Sequence, residues 1–223
     1  PDGRYLAYRA MRRPGFEADQ TELVLVDLRT GAKRVLTGHL DRDVNEVVWS
    51  PDSRRLFFTC PDQGRVKVMS VDVKSGRITT LVSDHVASGL TVGPSGRWLY
   101  FRLQAMNAPN EIFRVRTDGS HLEKLTGFND SLLAELELPE PEDFWFRSFD
   151  GTKVHAFVLK PPFFRPDRRY PLVYLIHGGP QGMWSDLFHF RWNAELFAAP
   201  GYVVAMVNFR GSKGYGQAFC DAV

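Results

Sequence analysis

Tyr170-Pro171-Leu172-Val173-Tyr174-Leu175-Ile176-His177-Gly178-Gly179-Pro180, read with the later run Tyr202-Val203-Val204-Ala205-Met206-Val207, decides the fold of this chain. Leu172 to Ile176 is a short, unbroken apolar run closed by two glycines and a proline. A strand that is apolar on both faces suits the buried interior of a parallel sheet covered by helices. The second run has the same character. Between them Phe188, Trp192, Leu196 and Ala199 recur at helical spacing, and Pro200-Gly201 ends the pattern. Strand, glycine-rich turn, helix and strand make one βαβ unit, with its functional edge where strands end and helices begin.

Working outward, Phe144 to Phe149, Asp150-Gly151 and Lys153 to Lys160 read as a hairpin around an Asp-Gly turn. Antiparallel strands ahead of a parallel unit predict a mixed sheet with helices on both faces. Before them Pro139-Glu140-Pro141-Glu142 is a stiff, acidic linker. Residues 139–143 therefore separate two regions, 1–138 and 144–223.

The first region repeats itself. Pro1-Asp2-Gly3-Arg4-Tyr5-Leu6 returns as Pro51-Asp52-Ser53-Arg54-Arg55-Leu56 and as Pro94-Ser95-Gly96-Arg97-Trp98-Leu99, at spacings of 50 and 43 residues. Such periods belong to propeller blades. Each copy is a turn that launches an apolar strand, with Pro presetting φ and Gly or Ser tolerating the bend. Each is followed by two β-rich runs around Gly31, Gly76 or Gly119. Val44 to Trp49, Ala87 to Val92 and Leu132 to Leu138 are the expected inner strands of successive blades. Residues 1–138 thus read as about three blades of a partial β-propeller. An antiparallel sandwich is the alternative, but sandwiches do not usually repeat their turn residues. Known propellers need about 4–8 blades, so further blades are expected upstream of Pro1 or from other chains.

Composition sets limits. In 223 residues, 43% are hydrophobic and 24% charged, which suits a globular chain with a real core. A net charge of +2 without a basic cluster interleaved with aromatics gives no case for nucleic acid. No run approaches the roughly 18 apolar residues of a membrane span. Cys60 and Cys220 lie in different patterns and read as independent thiols. They leave the compartment open between periplasmic or secreted and cytoplasmic. A homo-oligomer is likewise left open.

His177-Gly178-Gly179-Pro180 stands at the carboxyl end of the first buried strand. In α/β-hydrolases the loop after this strand donates a backbone N–H to the oxyanion hole, and glycine lets backbone approach the substrate carbonyl. An ordinary turn needing glycine is the plain alternative. The pairing with Asn208-Phe209-Arg210-Gly211-Ser212-Lys213-Gly214-Tyr215-Gly216 after the next strand favours the site.

At these residues, and at Phe190-Arg191-Trp192-Asn193 with Leu196-Phe197-Ala198-Ala199-Pro200-Gly201-Tyr202, the chain resembles the prolyl oligopeptidase family of serine peptidases. Within it the resemblance is strongest to the dipeptidyl peptidase V and acylaminoacyl peptidase branch. The match is nearly continuous over 170–222 and architectural over 1–138. The resemblance implies a β-propeller capping an α/β-hydrolase domain with a Ser-Asp-His triad between them. It also implies cleavage of short peptides near their N-terminus, without metal or organic cofactor.

One departure matters. No Gly-x-Ser-x-Gly occurs in the chain, and Ser212 in Arg-Gly-Ser-Lys-Gly is not a nucleophile elbow. The triad is therefore expected in sequence beyond Val223, with the remaining part of the same protein required for activity. The six histidines (39, 85, 121, 155, 177 and 189) form no triad and no close metal-ligand spacing. Gly178 and Gly179 are the candidate catalytic residues, as the oxyanion loop. His177 is read as packing or orienting that loop. Arg210 either faces the peptide cavity or anchors its loop by a salt bridge. Trp184 and Tyr215 either line the cavity rim or pack. Asp41-Arg42-Asp43 is expected to form an inter-blade ion cluster. A carboxylesterase, or a non-catalytic propeller binding module, stands as the competing function.

Overall fold

The computed structural model describes residues 1–223. Strands β1 (Tyr5–Ala10), β2 (Glu22–Asp27) and β3 (Lys33–Val35) form an antiparallel meander. A second meander holds β4 (Val47–Trp49), β5 (Arg55–Asp62), β6 (Arg65–Asp72) and β7 (Ile78–Val82). A third holds β8 (Val86–Val92), β9 (Trp98–Ala105), β10 (Ala108–Arg116) and β11 (Glu123–Lys124). One parallel pair, Val66 with Val86, joins the last two at an edge. These are propeller-type blades, the first with three strands.

The repeated turns explain the shared geometry. Gly3 and Gly96 sit at φ of 74° and 69°, and Ser53 takes the equivalent seat at 59°. That left-handed seat costs a residue with a Cβ, so the serine needs compensation. Its hydroxyl accepts from the Asp2 N–H of the preceding blade at 3.1 Å, which ties adjacent turns together.

Strand alternation packs the blades face to face. Phe57 and Phe58 are consecutive on β5, so they point to opposite faces. Phe58 joins Leu23, Leu25 and Val44 of the first unit, whereas Phe57 joins Leu99, Phe101 and Val115 of the third. Both are fully buried. Each burial is worth about 1.5–3 kcal/mol.

Leu132 to Leu138 does not form the expected inner strand. Asp130–Leu133 is a single helical turn, α1, and the chain then runs irregularly with Leu132 and Leu136 about half exposed. The physical reason is local: Ser131 to Leu138 has no β-branched or aromatic residue, and Leu, Ala and Glu favour helix. No neighbouring strand pairs with it to override that preference.

The second region is a four-stranded mixed sheet. β12 (Glu142–Arg147) and β13 (Lys153–Leu159) form the hairpin around Asp150-Gly151, so Glu142 and Asp143 are strand rather than linker. β14 (Leu172–Leu175) and β15 (Val203–Asn208) run parallel, and the order is β12-β13-β15-β14. Two expectations fail here. First, β14 is an outer strand, with Leu172 63% and Tyr174 48% exposed. Apolarity on both faces could not say whether a neighbour is present, and no segment of this chain pairs with its free edge. Second, the helix between the parallel strands is five residues, α2 (Ala194–Ala198), and only one other short helix, α3 (Gln217–Cys220), follows β15. Phe188 to Trp192 is aromatic-rich and a poor helix former. Asn193 instead caps the helix, its Oδ1 accepting from the Glu195 N–H at 2.9 Å. Helices on both faces are therefore not formed. Ala194 and Ala198 of α2 pack on Phe157, Leu159, Val204 and Met206.

Candidate active site

β14 delivers His177, Gly178 and Gly179 at its carboxyl end. Gly179 has φ of 135°, and a Cβ built on it would lie 2.5 Å from the Gln181 nitrogen and 2.8 Å from the Gly182 nitrogen. Only glycine fits that turn. A Cβ on Gly178 meets nothing within 4 Å, so its space is open. Neither N–H donates to any acceptor within the chain. Beside them lies a cleft of about 470 Å³ whose lining includes Ile176, His177, Gly178, Trp184, Trp192 and Met106.

The loop is fastened along its length. The His177 ring stacks on Phe209 with centroids 4.3 Å apart. Its Nδ1–H donates to the Gly178 carbonyl and its Nε2 accepts from the Ser212 hydroxyl, each at 2.9 Å. Ser212 is fully buried, so its hydroxyl serves as a strut and not as a nucleophile. Further on, the Lys213 N–H donates to the Gly182 carbonyl at 2.9 Å. Asn208, buried at the end of β15, grips Trp184 from both sides: Oδ1 accepts from its N–H at 2.7 Å and Nδ2 donates to its carbonyl at 2.9 Å.

Behind Asn208 runs a directional chain. Asn208 Nδ2 donates to the Tyr215 hydroxyl at 2.8 Å, the hydroxyl donates to His155 Nδ1 at 2.6 Å, and His155 Nε2–H donates to Asp143 at 2.8 Å. Arg65 of β6 completes it at 2.9 Å from Asp143. Burial pushes the Tyr215 phenol above its ordinary range and pulls His155 below, the latter only partly offset by Asp143. Asn208→Ala is expected to cost roughly 2–4 kcal/mol, since three partly buried groups, the Trp184 N–H and carbonyl and the Tyr215 hydroxyl, lose their bonds at once. Urea unfolding of variant and parent measures it, and a loss below about 1 kcal/mol would contradict the clamp.

The loop's far end is held by the blades. The Asp186 carboxylate is buried; it accepts from the Met106 N–H at 2.7 Å and pairs with His85 Nδ1 at 2.6 Å. Its own N–H donates to the Gly64 carbonyl at 2.8 Å. The bond to Asp186 raises the His85 pKa above its ordinary value against partial desolvation. A raised folded-state pKa contributes stability fully below the unfolded value near 6.5, and loses it as pH rises through the folded value. The gap in thermal midpoint between parent and His85→Gln should therefore be widest below the unfolded value and narrow as pH rises through the folded one. A gap that grows with pH would contradict this sign.

Arg210 donates to Asp150 at 2.6 Å and lies over the Phe149 ring, so its charge is engaged by the β12–β13 turn. The Tyr215 hydroxyl is held inside the chain just described. Of the sequence-derived candidates, His177, Gly178 and Trp184 meet at the cleft, Gly179 follows Gly178 without itself lining it, and Arg210 and Tyr215 do not line it. The Asp41-Arg42-Asp43 cluster reaches beyond the blades: Asp41 accepts from the Gln217 N–H at 2.9 Å and Asp43 pairs with Lys213 at 3.3 Å. Sequence reading met Asn208 only as the first residue of the second loop and His155 only among the histidines, gave neither a role, and did not single out Asp186. Cys60 and Cys220 are both free and buried, and desolvation pushes the Cys60 thiol up to about 12.

Propeller-type blades are fastened to a mixed sheet that carries a glycine loop at the end of a parallel strand. Residues 188–223 match the model of the prolyl oligopeptidase family. Over its whole length the chain is 29% identical to dipeptidyl-peptidase 5 of Schizosaccharomyces pombe and 31% identical to dipeptidyl-peptidase 5 of Aspergillus fumigatus, covering 32% of each. It thus spans about a third of the length of the curated relatives it matches. Its fold is similar to Pyrococcus horikoshii acylaminoacyl peptidase, with a TM-score of 0.81 at 23% identity, over 98% of this chain and 33% of that one. The family match is confined to the last 36 residues, whereas the similarity to the dipeptidyl-peptidase 5 relatives runs through the whole chain.

Proposed function

We propose that the chain is part of a serine exopeptidase that releases short units from the amino terminus of peptides through an acyl-enzyme, in the manner named for its dipeptidyl-peptidase 5 relatives. The observation carrying this reading is the loop at Gly178 and Gly179, whose N–H groups are free while its other ends are fastened. In this reading the Gly179 N–H meets the carbonyl oxygen as negative charge develops on it, so the contact counts most in the transition state. The second donor comes from the residue after the nucleophilic serine. In this reading that serine, its base and the orienting carboxylate lie outside these 223 residues, which is supported by His85 and His155 pairing with carboxylates and not with a serine, and by the burial of Ser212.

The test is labelling by a fluorophosphonate serine probe. The 223-residue chain alone is expected to stay unlabelled, because no positioned nucleophile and base are present. The intact protein is expected to label and to hydrolyse a dipeptide amide. Stoichiometric labelling of the isolated chain would overturn the assignment of the nucleophile elsewhere. An intact protein that takes the probe but cleaves only simple esters would favour the carboxylesterase.

A further inference from the structure

A second cavity, of about 380 Å³, shares no lining residue with the cleft at Gly178. The residues between Leu187 and Leu196 divide between the two. Its walls are mostly apolar, with Leu133 and Leu136 from the segment around α1 and Phe188 and Phe190 from the segment before α2. Two polar groups in this lining have no partner. Glu195 is 6% exposed, its Oε1 is fully buried, and that atom makes no hydrogen bond; the Asn110 Oδ1 is in the same position. Both are acceptors.

Such groups call for an explanation, because a buried polar atom left unpaired costs a few kcal/mol and a buried charge costs more. The fold gives none. The start of α2 is already capped by Asn193, so the carboxylate is not needed there. No cation pairs with Glu195, and it is the one ionisable residue among the twelve that line the cavity. Glu111, the sequence neighbour of Asn110, is turned to Thr126 and Asn129. Burial alone pushes the Glu195 carboxyl up to about 7, so near neutrality it holds a charge for part of the time without local compensation.

We propose that this cavity is a binding site for an alkylammonium group, with the ammonium between the Glu195 carboxylate and the Asn110 carbonyl oxygen and the alkyl stem against Leu133, Leu136, Phe188 and Phe190. An ammonium brings three donors and no acceptor, which suits a pair of orphan acceptors. A calcium or magnesium ion suits it poorly, since these take six or more oxygen ligands and the lining offers few. The charge of the ligand compensates the buried carboxylate, and the stem covers apolar wall that water would otherwise wet. The site is independent of the peptidase reading.

Calorimetric titration of the intact protein at about pH 8 with pentylammonium, pentanol and pentanoate tests it. Pentylammonium is expected to bind at least about tenfold more tightly than either control, because a hydrogen bond to a charged group is stronger than one between neutral groups. Glu195→Gln keeps the shape and should remove that advantage. Below about pH 7 the advantage should fade as the carboxyl takes up a proton. N-acetyl-lysine amide is the second probe: tighter binding than pentylammonium assigns a lysine-bearing ligand, and weaker binding a small amine. Equal binding of pentylammonium and pentanol, no binding of pentylammonium, or an unchanged preference in Glu195→Gln overturns the proposal. Should that variant not fold, the comparison of ammonium with alcohol on the parent decides alone.

Discussion

Gly179→Ala in the intact protein is expected to lower kcat by roughly a hundredfold or more, the scale set by losing one oxyanion donor. The added Cβ cannot be absorbed, because what it meets at 2.5 and 2.8 Å is backbone and not the end of a flexible side chain. The loop must move, and the N–H moves with it. Gly178→Ala is the matched control: its Cβ enters open space, so activity should stay within a few-fold of the parent. Proline locks φ near −65°, so Gly179→Pro would remove the N–H and rebuild the turn together. A cleaner separation is to replace the Gly179 amide by an ester, which deletes the N–H and leaves φ free. Proposed donor and merely structural glycine then part company: the ester lowers kcat with KM nearly unchanged only if the N–H stabilises the transition state. Near-parent kcat/KM in the folded ester variant would remove Gly179 from the proposed catalytic machinery.

Gly64→Ala is expected to be the most damaging single methyl addition at the seam between the blades and the mixed sheet. Gly64 turns β5 into β6 at φ of 76°, and a Cβ there would lie 2.5 Å from Phe157 Cζ and 2.7 Å from its Cε2. Phe157 is fully buried between the Arg65 guanidinium, His155 and the core beneath α2, so its ring cannot swing away. Left-handed strain of about 1–2 kcal/mol and overpacking of about 1–3 kcal/mol act together, giving roughly 2–5 kcal/mol. For a chain of this size that is a fall of roughly 5–15 °C in thermal midpoint. Gly76→Ala, at a φ of 72° with nothing within 4 Å, carries the strain without the clash and should cost about half as much or less. Equal losses at the two positions would show that the seam is looser than the contacts imply.

Much of this architecture is written locally. The proline turns at Pro1, Pro51 and Pro94, the glycine hairpins and the Asp150-Gly151 turn depend on φ preferences of a few adjacent residues, and strand alternation then follows along the chain. The glycine loop at 177–179 is legible for the same reason: its residue types are dictated by one tight bend. What the tertiary structure alone decided is everything that needs a distant partner. Leu172 to Ile176 looked like an interior strand, yet its place in the sheet depends on which segments lie beside it. Leu132 to Leu138 looked like a blade strand, yet without a neighbour its helix-favouring residues won. The Asn208–Tyr215–His155–Asp143 chain and the Asp186–His85 pair unite residues up to 101 positions apart, whose polarity carries no record of a partner. Hydrogen-bond geometry and desolvation exist only once those segments are packed, so the supports of the loop, unlike the loop itself, could be read only from the folded chain.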